Sequence, residues 1–188
     1  MVFTLVDHPE EIREQFKSRY IMSWEAFRRE KEDWIKYVTA KGYLYDLERY
    51  NKDFMWSHIS CARQPTIPFR EALAILRGYD GPVLFMSDSP PLQVPACGFF
   101  GKQENLGCVA KGNSAELADL IEEEWFEEVR LFLQDMYNPD PVLVKDLYVF
   151  PESLEWAIVF THETTDWDSE LDDPMKAAES RVCILCRP

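Results

Sequence analysis

Apolar residues recur at helical spacing near the start of the chain. Residues 7–10 have the form D-x-x-E with a proline in the first turn, which predicts a helix to about Tyr20. Ser23 predicts the N-cap of a second helix that ends at Gly42. Lys31 falls near the apolar side of this second helix, so the stripe is imperfect there. The apolar members of that side are Trp24, Phe27, Trp34, Ile35 and Val38.

The next part of the chain changes from helical to strand-like patterns. Alternation over residues 54–59 predicts a strand, and residues 69–77 predict a short helix. Residues 83–86 are apolar and predict a short buried strand. Prolines and glycines punctuate residues 87–113, where we expect an irregular segment with one short strand at about 106–111. A connection of this length in a compact domain is a candidate functional segment.

The strongest helical pattern lies in the middle of the chain. Asn113 and Glu116 form a capping box that predicts its start. Its apolar face comprises Leu117, Ile121, Trp125, Val129, Phe132 and Met136. Residues 143–150 and 154–162 predict a hairpin, and residues 181–187 predict a last strand.

These elements predict one domain over residues 1–188. Because strands and helices do not alternate strictly, the pattern favours an α+β fold over a doubly wound one. We expect a mainly antiparallel sheet of about four to six strands, with helices packed mostly on one face. Trp125 and Trp156 are predicted to be core residues.

Charge narrows the classes of partner. The chain has 20 lysines and arginines against 34 aspartates and glutamates, a formal charge of −14. Nucleic acid and anionic membrane surfaces would be repelled, so neither is expected as a partner. Such a field attracts basic proteins or metal cations, although net acidity also keeps an aromatic-rich protein soluble.

Cysteine usage indicates a reducing compartment. The N-terminus lacks the basic region of a secretory signal, so we expect a cytoplasmic protein with free thiols. Cys183 and Cys186 match C-x-x-C in form, but the residues between them are strand-like, which argues against convergent sulfurs. Neither a metal nor another cofactor is predicted. The five cysteines are Cys61, Cys97, Cys108, Cys183 and Cys186.

The densest group of potential acid–base and metal-binding residues follows the predicted hairpin. His162 with Asp166 and Asp168 could form a metal or catalytic site. Glu163 cannot share one ion with His162 if both lie in a strand, because adjacent side chains point to opposite faces. A histidine at a strand end beside aromatic residues is more often structural, so this site is the alternative rather than the leading hypothesis.

His58 is a second candidate catalytic residue, with Cys61 three positions on. In a strand the two side chains would diverge, which disfavours a nucleophile–base pair. The sequence lacks phosphate-binding glycine patterns, a G-x-S-x-G elbow and an H-E-x-x-H motif. The sequence therefore leaves enzymatic activity uncertain and favours a protein that is not an enzyme.

Acidic residues on the central helix form the most informative predicted surface. Glu116, Asp119, Glu123 and Glu127 follow one another at spacings of three, four and four, opposite the apolar stripe. We call these four residues the acidic ridge. The leading hypothesis is a non-enzymatic interaction domain whose ridge meets a basic protein, an immunity-type inhibitor being one concrete version. The alternative is a small metal-dependent or hydrolytic enzyme. The oligomeric state is not predicted.

Overall fold

The structure is a computed structural model. It describes residues 3–52, 55–60, 65–87, 108–134, 146–164, 176 and 179–187; of residues 52, 124, 127–134 and 162–164 it describes the backbone only. The helices within these ranges are α1 (Pro9–Tyr20), α2 (Trp24–Glu30), α3 (Glu32–Ala40), α4 (Leu47–Lys52), α5 (Phe69–Gly78) and α6 (Ser114–Gln134). The strands are β1 (Thr4–Leu5), β2 (Thr66–Ile67), β3 (Pro82–Ser87), β4 (Val109–Asn113), β5 (Leu147–Phe150), β6 (Ala157–Thr164) and β7 (Arg181–Cys186).

The seven strands within the described ranges join one antiparallel sheet in the order β1-β4-β3-β5-β6-β7-β2. The predicted α+β class and antiparallel sheet are therefore confirmed. The strand number exceeds the expected four to six, because the sheet is extended at both edges by β1 and β2. Each of these strands has two residues, too few to show a strand period in the sequence.

Side chains of the central strands alternate between two apolar layers. On one side α5 and α6 cover the sheet, with a core that includes Phe69, Leu73, Leu117, Ile121, Phe85 and Phe160. On the other side α1 packs through Phe16 and Tyr20 on a layer that includes Leu84, Tyr148, Phe150, Val159 and Cys186. Helices therefore contact both faces, and the expected one-sided packing applies to α5 and α6 only.

The long helix predicted from Ser23 to Gly42 is two helices. Ser23 caps α2 as predicted, since its side chain accepts a hydrogen bond from the backbone N of Ala26 at 3.3 Å. Lys31 leaves helical geometry and forms both the C-cap of α2 and the N-cap of α3. The break coincides with the position where the apolar stripe was imperfect. Gly42 follows α3 with a φ of 88°, the left-handed conformation that favours glycine at a helix end.

The strand predicted over residues 54–59 is wrong. Met55–His58 form a turn of 3-10 helix, and Ile59 alone makes a bridge, to Ile21. Met55 and His58 are buried while Trp56 and Ser57 are half-buried, a spacing of three residues. Over so few residues, a period of three and a period of two cannot be distinguished from sequence.

The central helix begins as predicted. The backbone N of Glu116 donates to Oδ1 of Asn113 at 3.1 Å, and Leu117, Ile121 and Trp125 are buried. The side chains of the later stripe residues Val129 and Phe132, and all of Met136, lie outside the described part of the chain.

Both hairpin strands differ from their predicted bounds. Residues 143–145 of the first lie outside the described ranges, and β5 covers Leu147–Phe150. β6 begins at Ala157 instead of Leu154 and ends at Thr164 instead of His162. Trp156 thus precedes β6 and is half-buried against Tyr79, with ring centroids 5.2 Å apart.

Most of the irregular segment, residues 88–107, falls outside the described ranges, while its end forms β4. Among the described residues, no helix is both long and apolar enough to cross a membrane.

Candidate binding site

His58 lies inside a cluster of aromatic rings rather than at an open surface. Its side chain is 3% exposed, its ring stacks on Tyr50 with centroids 3.8 Å apart, and it meets the Phe27 ring edge-on at 5.0 Å. The backbone of Met22 connects two members of this cluster. Its N donates to the His58 carbonyl at 3.1 Å, and its carbonyl accepts a hydrogen bond from the Tyr50 hydroxyl. Burial raises the pKa of Tyr50, which keeps that hydroxyl a donor. This packing fits a structural role for His58; Cys61 lies outside the described residues.

An apolar pocket of about 500 Å³ opens beside this cluster. Four aromatic residues line it: Phe27 from α2, Trp34 from α3, Tyr45 from the segment before α4, and Trp56 from the 3-10 helix. The Tyr45 ring joins the first two, since its centroid lies 5.6 Å from Phe27 and 4.9 Å from Trp34. The pocket size lies within the range of about 300–1,000 Å³ typical of small-molecule sites.

The sheet supplies the opposite wall of the pocket. Val182 and Ile184 of β7 contribute aliphatic surface, and Ile59 joins them from the bridge position. Val182 and Ile184 alternate with the buried Cys183 and Leu185, so they lie on the α1 side of the sheet. The pocket therefore forms where α2, α3 and the 3-10 helix meet strands β7 and β2.

Hydrogen bonds hold the walls of the pocket in position. The backbone N of Trp56 donates to the hydroxyl of Tyr148 at 2.9 Å, which fixes the 3-10 helix on strand β5. The Ser60 hydroxyl donates to the Glu30 carboxylate at 2.6 Å, which joins the end of this segment to the end of α2. Both contacts connect residues far apart in sequence, so the pocket is formed by the fold itself.

Few polar side chains line the pocket in the described part of the chain. Lys31 carries a formal charge, and Ser57 and Thr66 bring hydroxyl groups. Lys31 lies between Phe27 and Trp34 on the apolar side of the α2–α3 segment, at spacings of four and three residues. A mostly apolar cavity with a few polar groups is the usual composition of a ligand site.

Helix α3 has apolar residues but buries none of them. Trp34 and Tyr37 are 45% and 62% exposed, and the following segment exposes Tyr43, Leu44 and Leu47 by 49% to 73%. We call these five residues the aromatic strip. They are five of the six large hydrophobic side chains that are exposed among the described residues; the sixth, Leu5, is at the β1 edge.

The acidic ridge is exposed at Glu116, Asp119 and Glu123, as predicted from the opposite apolar stripe. Asp119 forms an ion pair, however: Arg77 of α5 donates to its Oδ1 from Nε at 2.9 Å and from Nη2 at 2.8 Å. Arg77 also pairs with Glu122, which lies beside the ridge. The negative potential of the ridge is therefore carried mainly by Glu116 and Glu123, and the Glu127 side chain is not among those described.

The alternative catalytic or metal residues are mostly beyond what the structure describes. His162 lies in β6, where only its backbone is described, and Asp166 and Asp168 fall outside the described residues. Among the described residues, no group of three or more histidine, cysteine, aspartate or glutamate side chains could hold a metal ion.

Cys183 and Cys186 lie on opposite faces of β7, one in each apolar layer. The strand-like spacing predicted for this C-x-x-C is confirmed, so the two sulfurs cannot meet at one metal ion. Burial raises the pKa of each thiol to about 12, which keeps both protonated at neutral pH.

Sequence reasoning missed the pocket, because its walls come from five separate parts of the chain. One signal was present: Lys31 interrupts the apolar stripe, and the structure places it in the pocket lining. A second was the run of aromatic and leucine residues from 34 to 47.

Comparisons with protein-family models, with curated proteins and with solved structures found no match to this chain.

Proposed function

We propose that this chain is a non-enzymatic binding domain that holds a basic partner protein against the aromatic strip. The observation that carries the proposal is helix α3, whose apolar side chains are not buried by the described part of the chain. An uncovered cluster of large apolar side chains on a folded domain is typical of an interaction surface. Tyrosine and tryptophan in particular are enriched at the energetic centres of protein interfaces.

Net charge selects the class of partner. At −14 the chain repels acidic proteins over a range set by the ionic strength and attracts basic ones. In the proposed complex the strip supplies buried apolar contact, and Glu116 and Glu123 of the ridge raise the association rate. An immunity-type inhibitor of a cationic toxin or nuclease is one concrete form of this function. The proposed compartment is the cytoplasm, where free thiols are stable.

The experiment compares what the immobilised protein captures with and without the strip. Tyr43→Ser with Leu44→Ser removes the two most exposed side chains of the strip, at 72% and 73%. The wild type should retain a basic protein that this variant loses. Leu5→Ser is the matched control, because it removes an exposed leucine at the β1 edge and should retain the same protein. Equal capture by both variants would reject the strip as the binding surface.

A further inference from the structure

We propose that the pocket between α2, α3 and β7 is a second binding site, which takes a small planar aromatic molecule with one negatively charged group. This goes beyond the partner surface proposed above, since it concerns a small molecule bound in the cavity. The cavity of about 500 Å³ has room for a ligand of one or two fused rings.

The lining of the pocket favours aromatic ligands. The lining includes the aromatic residues Trp34, Tyr45 and Trp56 and the 2% exposed Phe27, while Val182 and Ile184 form an aliphatic side. Aromatic rings gain offset-stacked or edge-to-face contacts with such walls, beyond the gain from burial of apolar area alone. Because the walls are fixed by hydrogen bonds from Trp56 and Ser60, little ordering is required on binding.

The charge on the ligand follows from the lining residues. Lys31 brings a formal positive charge to the described lining, with Ser57 and Thr66 as neutral polar groups. An ammonium group on an apolar wall favours a carboxylate or sulfonate and disfavours a cation. The net charge of the chain opposes anions in general. A preference for an anionic ligand would therefore come from Lys31 at close range.

The test uses three probes that share one ring system: naphthoate, naphthylmethanol and naphthylmethylammonium. Isothermal titration calorimetry of the whole chain, without any partner protein, should rank them with the anion tightest and the cation weakest. Lys31→Met should weaken naphthoate by about tenfold, the size expected for a lost charge-assisted hydrogen bond, and leave naphthylmethanol nearly unchanged. This ranking in the wild type tests the proposal even if a variant fails to fold.

Matched variants separate the pocket from the general surface. Lys36→Met removes a lysine whose side chain is exposed and paired with Glu32 at 2.7 Å, so naphthoate affinity should not fall. Trp34→Ala should weaken naphthoate and naphthylmethanol alike, whereas Tyr37→Ala, outside the lining, should weaken neither. Tightest binding of the cation, no binding of any probe, or equal loss in Lys31→Met and Lys36→Met would overturn the proposal. None of these results depends on partner binding by the strip.

Discussion

The ring of Phe3 lies against Gly112, so close that a Cβ atom on residue 112 would overlap the ring carbons Cδ1 and Cε1. Phe3 precedes strand β1, and Gly112 lies in the neighbouring strand β4. The same ring meets Phe85 edge-on, with centroids 5.2 Å apart. The absence of a side chain at residue 112 thus lets an aromatic ring cover this edge of the sheet.

Gly112→Ala should lower the free energy of unfolding by about 1–3 kcal/mol, because the added methyl group must displace a packed ring. Urea denaturation followed by circular dichroism measures the change. Gly78→Ala is the control, since nothing lies within 4 Å of a Cβ there, and it should be neutral or slightly stabilising. In a Phe3→Ala background the cost of Gly112→Ala should largely disappear. An equal cost in both backgrounds would contradict the ring contact.

Trp125 and Trp156 should differ in their contribution to stability. Trp125 is 4% exposed, and the guanidinium of the buried Arg181 lies 3.9 Å from its ring centroid. Trp125→Ala should therefore cost roughly 3–5 kcal/mol, as a large cavity forms and the cation–π contact is lost. Trp156→Ala should cost less, because Trp156 is half-buried and precedes β6. Equal losses in urea denaturation would show that the two positions are packed alike.

Alkaline pH should destabilise the fold through its buried thiols. Cys183 and Cys186 ionise near pH 9 when exposed, but burial raises their pKa to about 12 in the folded chain. Between these values the unfolded chain binds fewer protons than the folded one, so stability falls as pH rises from 9 to 12. The fall in Tm over this window should be smaller in a Cys183→Ala, Cys186→Ala double variant. An identical pH profile for both proteins would contradict the assignment.

The acidic ridge should act on association rate. Glu116→Gln with Glu123→Gln removes two exposed charges, and we expect a several-fold slower association with a basic partner, little change in dissociation, and a weaker salt dependence. Surface plasmon resonance at two ionic strengths measures all three quantities. Asp80→Asn with Glu155→Gln removes the same charge from exposed positions outside the ridge and is the control. If both pairs of substitutions slowed association equally, the ridge would act only through the net charge of the chain.

Elements with strong local signals could be predicted from the sequence. Helix α1 begins at its proline, although its N-cap is His8 without a side-chain cap and not Asp7. The start of α6 has its Asn113 cap, and β3 and β7 are short apolar runs. Elements that depend on distant contacts could not be predicted. The 3-10 turn at Met55–His58 is held by the hydroxyl of Tyr148, and two-residue strands exist only because a neighbouring strand pairs with them.

The candidate site follows the same rule. The exposure of Glu116, Asp119 and Glu123 followed from one helix and its opposite stripe, so for these three residues the sequence was sufficient. The pocket forms only because the fold brings together residues from separate parts of the chain, such as Phe27, Tyr45, Trp56 and Val182. No sequence pattern of helical or strand spacing connects these residues. Lys31 was visible only as an irregularity in an apolar stripe.

The most direct test of the proposed function is the affinity of the captured basic partner for the purified chain, measured by isothermal titration calorimetry. We expect Tyr43→Ser with Leu44→Ser to raise Kd by at least about tenfold, since interface aromatic residues commonly contribute more than 1 kcal/mol each, while Leu5→Ser leaves Kd unchanged. Both variants should melt like the wild type, because the replaced side chains are exposed. An unchanged Kd in the strip variant, or a captured partner that is acidic, would contradict the proposed binding of a basic protein by the aromatic strip.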